Sequence, residues 1–151
     1  MQEDGSLEPV AEALYGLLAT LVRRTSRDMS LTAVATLSTL DRTGPRRITE
    51  LAVIEGVAQP SMTSLIARLE RQGLVERRSE PADRRVALVA ITADGTGYLE
   101  TRRKQGAQSL EILLHKLGQP ERLALVEAVE ALTALREIDA QQREPSVRAA
   151  D

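Results

Sequence analysis

The chain of 151 residues contains no cysteine, no phenylalanine and no tryptophan, and a single histidine, His115. Without a thiol there is no disulfide, no thiol redox sensing and no cysteine nucleophile. One imidazole and no thiolate leave neither a zinc-finger ligand set nor a Ser-His-Asp triad built on a second histidine. Two tyrosines are the whole aromatic complement, so the core must be aliphatic and an aromatic-rich binding surface is excluded. No apolar run of 18 residues exists, and no membrane span is expected. Met1–Pro9 is acidic rather than basic and then apolar, which does not read as a signal peptide, so the expected location is the cytoplasm. Composition alone closes most routes to catalysis.

What is present is a balanced chain, 42% apolar, with 20 Lys plus Arg against 22 Asp plus Glu and a formal charge of −2. A chain of this length buries roughly 70% of its unfolded surface on folding, which favours one domain, or one domain with helical extensions. The cations are 18 arginines and 2 lysines, a bias that in an Ala-rich chain looks like coding composition, so arginine abundance is not itself chemistry. Its distribution is more informative. Between Arg42 and Arg85 lie 9 arginines (42, 46, 47, 68, 71, 77, 78, 84 and 85) and 6 acids (50, 55, 70, 76, 80 and 83), a net +3 that leaves −5 on the rest. An acidic chain with a basic middle points to a localised anion-binding face.

Leu7, Val10, Ala11, Leu14, Leu17, Leu18, Leu21 and Val22 recur at helical spacing and predict an amphipathic helix over residues 7–27. Ser30 to Thr32 offers N-cap side chains before Val34, Leu37 and Leu40, and Gly44-Pro45 supplies a stop. Ile48, Leu51, Ala52 and Ile54 fit a helix of two turns ended by Gly56. Gln59-Pro60, its proline preset for a first helical turn, marks the start of a helix through Arg71 that Gly73 ends. Its apolar side is Met62, Leu65, Ile66 and Leu69; its other side carries Ser61, Thr63, Ser64, Arg68 and Arg71. Leu74–Arg78 and Val86–Ile91 read as strands of a hairpin whose seven-residue loop, Ser79 to Arg85, is polar and charged. Thr92, with Asp94 in the first turn, opens a helix expected to reach Leu117 despite Gly95, Gly97 and Gly106. After Gly118-Gln119-Pro120 a last helix is expected from Pro120 to about Gln141, and the tail over 142–151, without apolar period, should fray.

Three short helices followed by a hairpin form the order of a winged helix-turn-helix, mainly α with a small β wing. The third of those helices suits the major groove, because side chains at its N-terminal end reach base edges while free N–H groups and the helix dipole favour phosphate. Gln59, Ser61, Thr63 and Ser64 occupy that end, and Arg68 follows one turn later. In the hairpin loop Arg84 and Arg85 are long enough to enter a minor groove, with Asp83 positioned to orient one of them. A Ser/Thr row at a helix start also serves plain capping, and an Arg-rich loop also serves plain solvation. The DNA reading rests on the coincidence of all these features in the order one module requires.

At these residues the sequence resembles the MarR family of bacterial transcriptional regulators. The resemblance is carried by Gly44-Pro45-Arg46-Arg47-Ile48-Thr49-Glu50-Leu51-Ala52, by Gly56-Val57 and Gln59-Pro60-Ser61-Met62-Thr63, and by Leu65 with Arg68-Leu69-Glu70 and Gly73-Leu74-Val75. It continues through Asp83-Arg84-Arg85 to Ile91-Thr92-Ala93-Asp94-Gly95. It implies that Arg85, in the Asp-x-Arg of the wing, enters the minor groove and that the helix from Pro60 to Arg71 reads the major groove. Arg47 stands where many relatives have a Ser or Thr N-cap; the cap is left unassigned, and Arg47, with Arg46 and Arg71, reads as a phosphate contact.

The resemblance also implies homodimers joined through N- and C-terminal helices, here 7–27 and 93–141, around a DNA-binding region over 31–92. The amphipathic stripes from Leu7 to Val22 and from Leu110 to Ile138 agree, since each buried Leu contributes roughly 1.5–3 kcal/mol. A two-fold protein reads a pseudo-palindrome. Repression of transcription and release by a small aromatic or phenolic effector are further family expectations. Tyr15, Arg23, Arg24 and His115 are polar residues near the junction where such effectors bind, yet each also reads as an ordinary surface or interhelical residue, and no effector site is assigned. Two other classes compete. A winged-helix module that binds protein keeps the fold without specific DNA binding. An enzyme would need a buried acid/base pair, and the nearest carboxylate cluster, Glu76, Glu80 and Asp83, sits in or beside an exposed hairpin.

Overall fold

The computed structural model describes residues 6–24, 28–79 and 87–142. The chain divides into two compact units, Met1–Ser30 and Leu31–Asp151. Among the described residues the first holds one helix, α1 (Glu8–Arg24); positions 25–27 of the expected span lie outside those described. On its apolar stripe Leu7, Val10, Leu17, Leu18 and Val22 are exposed.

The second unit runs α2 (Leu31–Thr43), α3 (Ile48–Ile54), α4 (Gln59–Arg71), β1 (Val75–Ser79), β2 (Ala87–Ile91), α5 (Ala93–Leu114), α6 (Gln119–Glu127) and α7 (Val129–Gln142). Its core sits where α2, α3 and α4 meet the hairpin and the first turns of α5. Leu37, Leu40, Leu51, Met62, Ile66, Leu69 and Val89 are fully buried there, together with Ala33, Val75 and Leu99. On α4 the buried positions 62, 65, 66 and 69 follow the 3.6-residue period and define the inner face. Two threonines join this core without an unsatisfied hydroxyl. Thr36 donates to the Thr32 carbonyl at 2.8 Å, and Thr39 donates to Glu55 Oε1 at 2.8 Å, linking α2 to the end of α3.

Helix ends follow from glycines placed just past them. Gly44, Gly56 and Gly73 all have positive φ. At the end of α4 the Gly73 N–H donates to the Glu70 carbonyl at 2.9 Å and the Leu74 N–H to the Leu69 carbonyl at 3.0 Å, the paired bonds of a Schellman motif. That arrangement corrects the first strand. Leu74 was expected in β1, but its N–H completes the helix exit, so the ladder starts one residue later with Val75 opposite Ile91 and ends with Ser79 opposite Ala87.

Gly95 shows a different use of glycine. A Cβ at this position would run into the Leu74 carbonyl oxygen and lie 2.6 Å from Ile91 Cγ1. Only a residue without a side chain lets α5 start so close to the hairpin.

Helix α4 begins at Gln59, with Pro60 in its first turn, as the Gln59-Pro60 pair suggests. Two further boundaries differ from expectation. Helix α5 stops at Leu114 rather than Leu117, with His115 as its C-cap. The last helix is two helices, interrupted at Ala128 alone, where no proline or glycine marks the break. Along this C-terminal region Ile112, Leu123, Val126, Val129, Leu135 and Ile138 are each more than half exposed. No helix among the described residues is long and apolar enough to cross a membrane.

Candidate nucleic-acid interface

Helix α4 presents its polar side to solvent. Gln59, Ser61, Thr63, Ser64, Arg68 and Arg71 are all exposed, while the opposite side is locked into the core. The N-cap is Ala58, which carries no side-chain acceptor, and Pro60 lies in the first turn. The first N–H groups of α4 therefore have no side-chain cap, which is the arrangement that favours an anion at a helix start.

Two hydroxyls on this face are already oriented. Thr63 Oγ1 donates to the Gln59 carbonyl at 2.9 Å and Ser64 Oγ to the Pro60 carbonyl at 3.0 Å. A hydroxyl has one donor and two lone pairs, so back-bonding to the helix leaves both oxygens as acceptors. Acceptors at this end of a helix match the amino groups that adenine and cytosine show in the major groove. Arg71 lies along the helix, its Nε donating to the Ala67 carbonyl at 3.3 Å.

The other arginines of the basic segment divide by their partners. Arg77 on β1 pairs with Glu70 of α4, Nε to Oε2 at 3.2 Å, and Arg78 pairs with Glu76, Nη2 to Oε1 at 2.5 Å. The first of these ties the hairpin to α4. Arg47 is the N-cap residue of α3 and is exposed. Its guanidinium has no acceptor and cannot cap, yet its backbone N–H donates to Glu50 Oε2 at 3.0 Å. Glu50 thus supplies half of a capping box, and the cap left open in the sequence is a backbone group with a carboxylate three residues on.

Arg46 is held differently. Its N–H donates to the Val89 carbonyl at 3.0 Å and its carbonyl accepts from the Val89 N–H at 2.8 Å, an isolated bridge that adds one residue to the edge of the hairpin. Its side chain is half-buried, with Nε donating to Thr43 Oγ1 at 3.1 Å. Sequence reading missed both this bridge and Thr43. A single bridging residue has no alternation to detect, and no motif marks the threonine. Asp83, Arg84 and Arg85 lie outside the described residues. The structure therefore gathers Gln59, Ser61, Thr63, Ser64, Arg68 and Arg71 on one helix face, with Arg46 and Arg47 in the corner between α2 and α3.

Comparison with known proteins bears on the fold and the family. Residues 29–87 match the MarR family. An uncharacterised HTH-type transcriptional regulator of Mycobacterium bovis is 34% identical over 113 residues, covering 75% of this chain and 79% of that protein. The crystal structure of a transcriptional regulator from Thermotoga maritima superposes with a TM-score of 0.74 at 26% identity, over 89% of this chain and 98% of the other. A MepR mutant of Staphylococcus aureus, solved bound to an oligodeoxyribonucleotide, shares the fold with a TM-score of 0.64 at 16% identity, over 83% of this chain and 97% of the other. The matched segment from just before α2 to the start of β2 and the relatives that extend beyond it lead to one assignment: the chain belongs to the MarR family of winged-helix transcriptional regulators.

Proposed function

We propose that this regulator is a sequence-specific DNA-binding repressor that occupies a pseudo-palindromic operator as a homodimer, without catalysis, and is released by a small aromatic or phenolic ligand. The observation that carries the DNA part is α4 itself, whose hydroxyl-bearing face is exposed at an uncapped N-terminal end while its other face is buried. Gln59, Ser61, Thr63, Ser64 and Arg68 are assigned to base edges, and Arg46, Arg47 and Arg71 to phosphates. The family resemblance assigns Arg85 of the Asp83-x-Arg85 motif to the minor groove, and the loop reading adds Arg84 beside it, with Asp83 orienting one of the two. A protein of the same fold solved bound to an oligodeoxyribonucleotide supports DNA as the partner.

Dimerisation rests on a second feature, the apolar faces of α1 and of α5 to α7 that the single chain leaves in water. Exposed apolar faces on helices mark interaction sites. A two-fold partner covers it and sets two α4 helices at the spacing of half-sites, about 34–36 Å apart.

The test is titration of purified protein against the intergenic DNA beside its own gene, at two salt concentrations, with a random duplex as control. Specific, salt-dependent binding of two protomers per site is expected, and the same assay then screens ligands for release. Failure to discriminate there and across a genome-wide selection would overturn the operator reading in favour of a protein-binding winged helix.

A further inference from the structure

We propose that Thr43 is a positioning residue for DNA binding, acting through Arg46. The backbone around Arg46 is fixed before its side chain is considered. The Gly44 N–H donates to the Leu40 carbonyl at 3.0 Å with φ of +78°, Pro45 follows with its φ restricted, and the bridge to Val89 holds Arg46 by two hydrogen bonds. Pro45 has no N–H to complete a Schellman pair, so α2 ends on the single αL bond and the chain turns directly into the bridge.

Thr43 then fixes the guanidinium. Its hydroxyl proton is committed to the Thr39 carbonyl at 2.8 Å, so the lone pairs of Oγ1 face away from that bond, and one of them receives Arg46 Nε–H at 3.1 Å. Thr39 is held in turn by its own hydroxyl bond to Glu55 Oε1 at 2.8 Å. A guanidinium anchored at Nε keeps the edge formed by its two Nη groups, the edge that binds phosphate in bidentate fashion. Thr43 and Arg46 are both half-buried, so the anchor is shielded from water that would loosen an exposed one. An Arg without this anchor loses side-chain freedom only when it binds, and binding weakens accordingly.

The proposal rests on the assignment of Arg46 to a phosphate, and the test separates the two. A phosphate contact is independent of sequence, so a random-sequence duplex labelled with a fluorophore serves as probe. Wild type, Thr43→Val, Thr43→Ser, Arg46→Ala and the Thr43→Val/Arg46→Ala double variant are titrated at several salt concentrations, with thermal unfolding measured for each.

Arg46→Ala is expected to weaken binding severalfold and to reduce the salt slope by about one. Thr43→Val should weaken binding in the same direction at unchanged unfolding temperature, Thr43→Ser should restore it, and the double variant should be no weaker than Arg46→Ala. Wild-type behaviour of Thr43→Val beside a weakened Arg46→Ala overturns the positioning role alone, as does strict additivity in the double variant. Wild-type behaviour of Arg46→Ala overturns the phosphate assignment and the proposal with it. A wild type without salt-dependent binding overturns the DNA reading as a whole.

Discussion

The Thr92 hydroxyl donates to the Gly73 carbonyl at 2.6 Å and accepts from the Gly95 N–H at 3.1 Å, so one side chain joins the exit of α4 to the start of α5. The Thr92 N–H adds a third bond, to the Leu74 carbonyl at 3.1 Å. Thr92→Ala should cost about 1–2 kcal/mol, at the upper end for a lost N-cap because a second partner is also left unbonded. Thr92→Ser should recover most of it. Urea unfolding of the three proteins checks this; equal midpoints for wild type and Thr92→Ala would contradict it.

Two glycines two residues apart should respond to alanine with opposite signs. At Gly95 the added Cβ meets backbone at Leu74, which cannot rotate away, so Gly95→Ala should destabilise by about 1–3 kcal/mol. At Gly97 nothing lies within 4 Å, and Gly97→Ala should stabilise by about 0.5–1 kcal/mol through helix propensity. Thermal melts of the pair decide; shifts of the same sign would refute the close-approach account.

For base reading, Thr63→Ala and Ser64→Ala should change which sequences are selected from a random pool, because each removes an acceptor on the exposed α4 face. Arg47→Ala should weaken all sequences about equally. Identical base preferences in wild type and both hydroxyl variants would count against α4 as the reader.

In the wing, Arg85→Ala should weaken operator binding by at least about 1 kcal/mol and flatten its salt dependence. Unchanged affinity and slope would sink the minor-groove assignment, which rests on the family resemblance.

Dimerisation predicts that Leu135→Glu and Ile138→Glu, both on the exposed face of α7, shift the sedimenting species from two chains toward one and lower operator affinity together. A burial worth roughly 1.5–3 kcal/mol per side chain makes each substitution costly at an interface and nearly silent on a free surface. Monomeric wild type would remove the basis of the two-fold reading.

The fold was legible where chemistry is local. Gly56 and Gly73 end helices because the chain there needs positive φ, and the inner face of α4 is readable from Met62, Leu65, Ile66 and Leu69 alone. Features set by partners distant in sequence were not. Leu74 looks like a strand residue but serves a helix exit, and Arg46 bridges to Val89 across more than forty residues. The break at Ala128 has no glycine or proline to announce it. On the site, residue types identified the exposed row of α4, whereas Thr43 could be found only from the direction of its hydrogen bonds.

The close approach at Gly95 has a mechanical side. Helix α5 spans 22 residues, about 33 Å at 1.5 Å rise per residue. Its near end is clamped to the exit of α4 by the Thr92 bond to Gly73 and by a contact with Leu74 that leaves no room for a methyl group. A hinge there would need slack, and the joint has none. The two helices therefore turn as one body, and a rotation of about 5° of α4 carries the far end of α5 through roughly 3 Å.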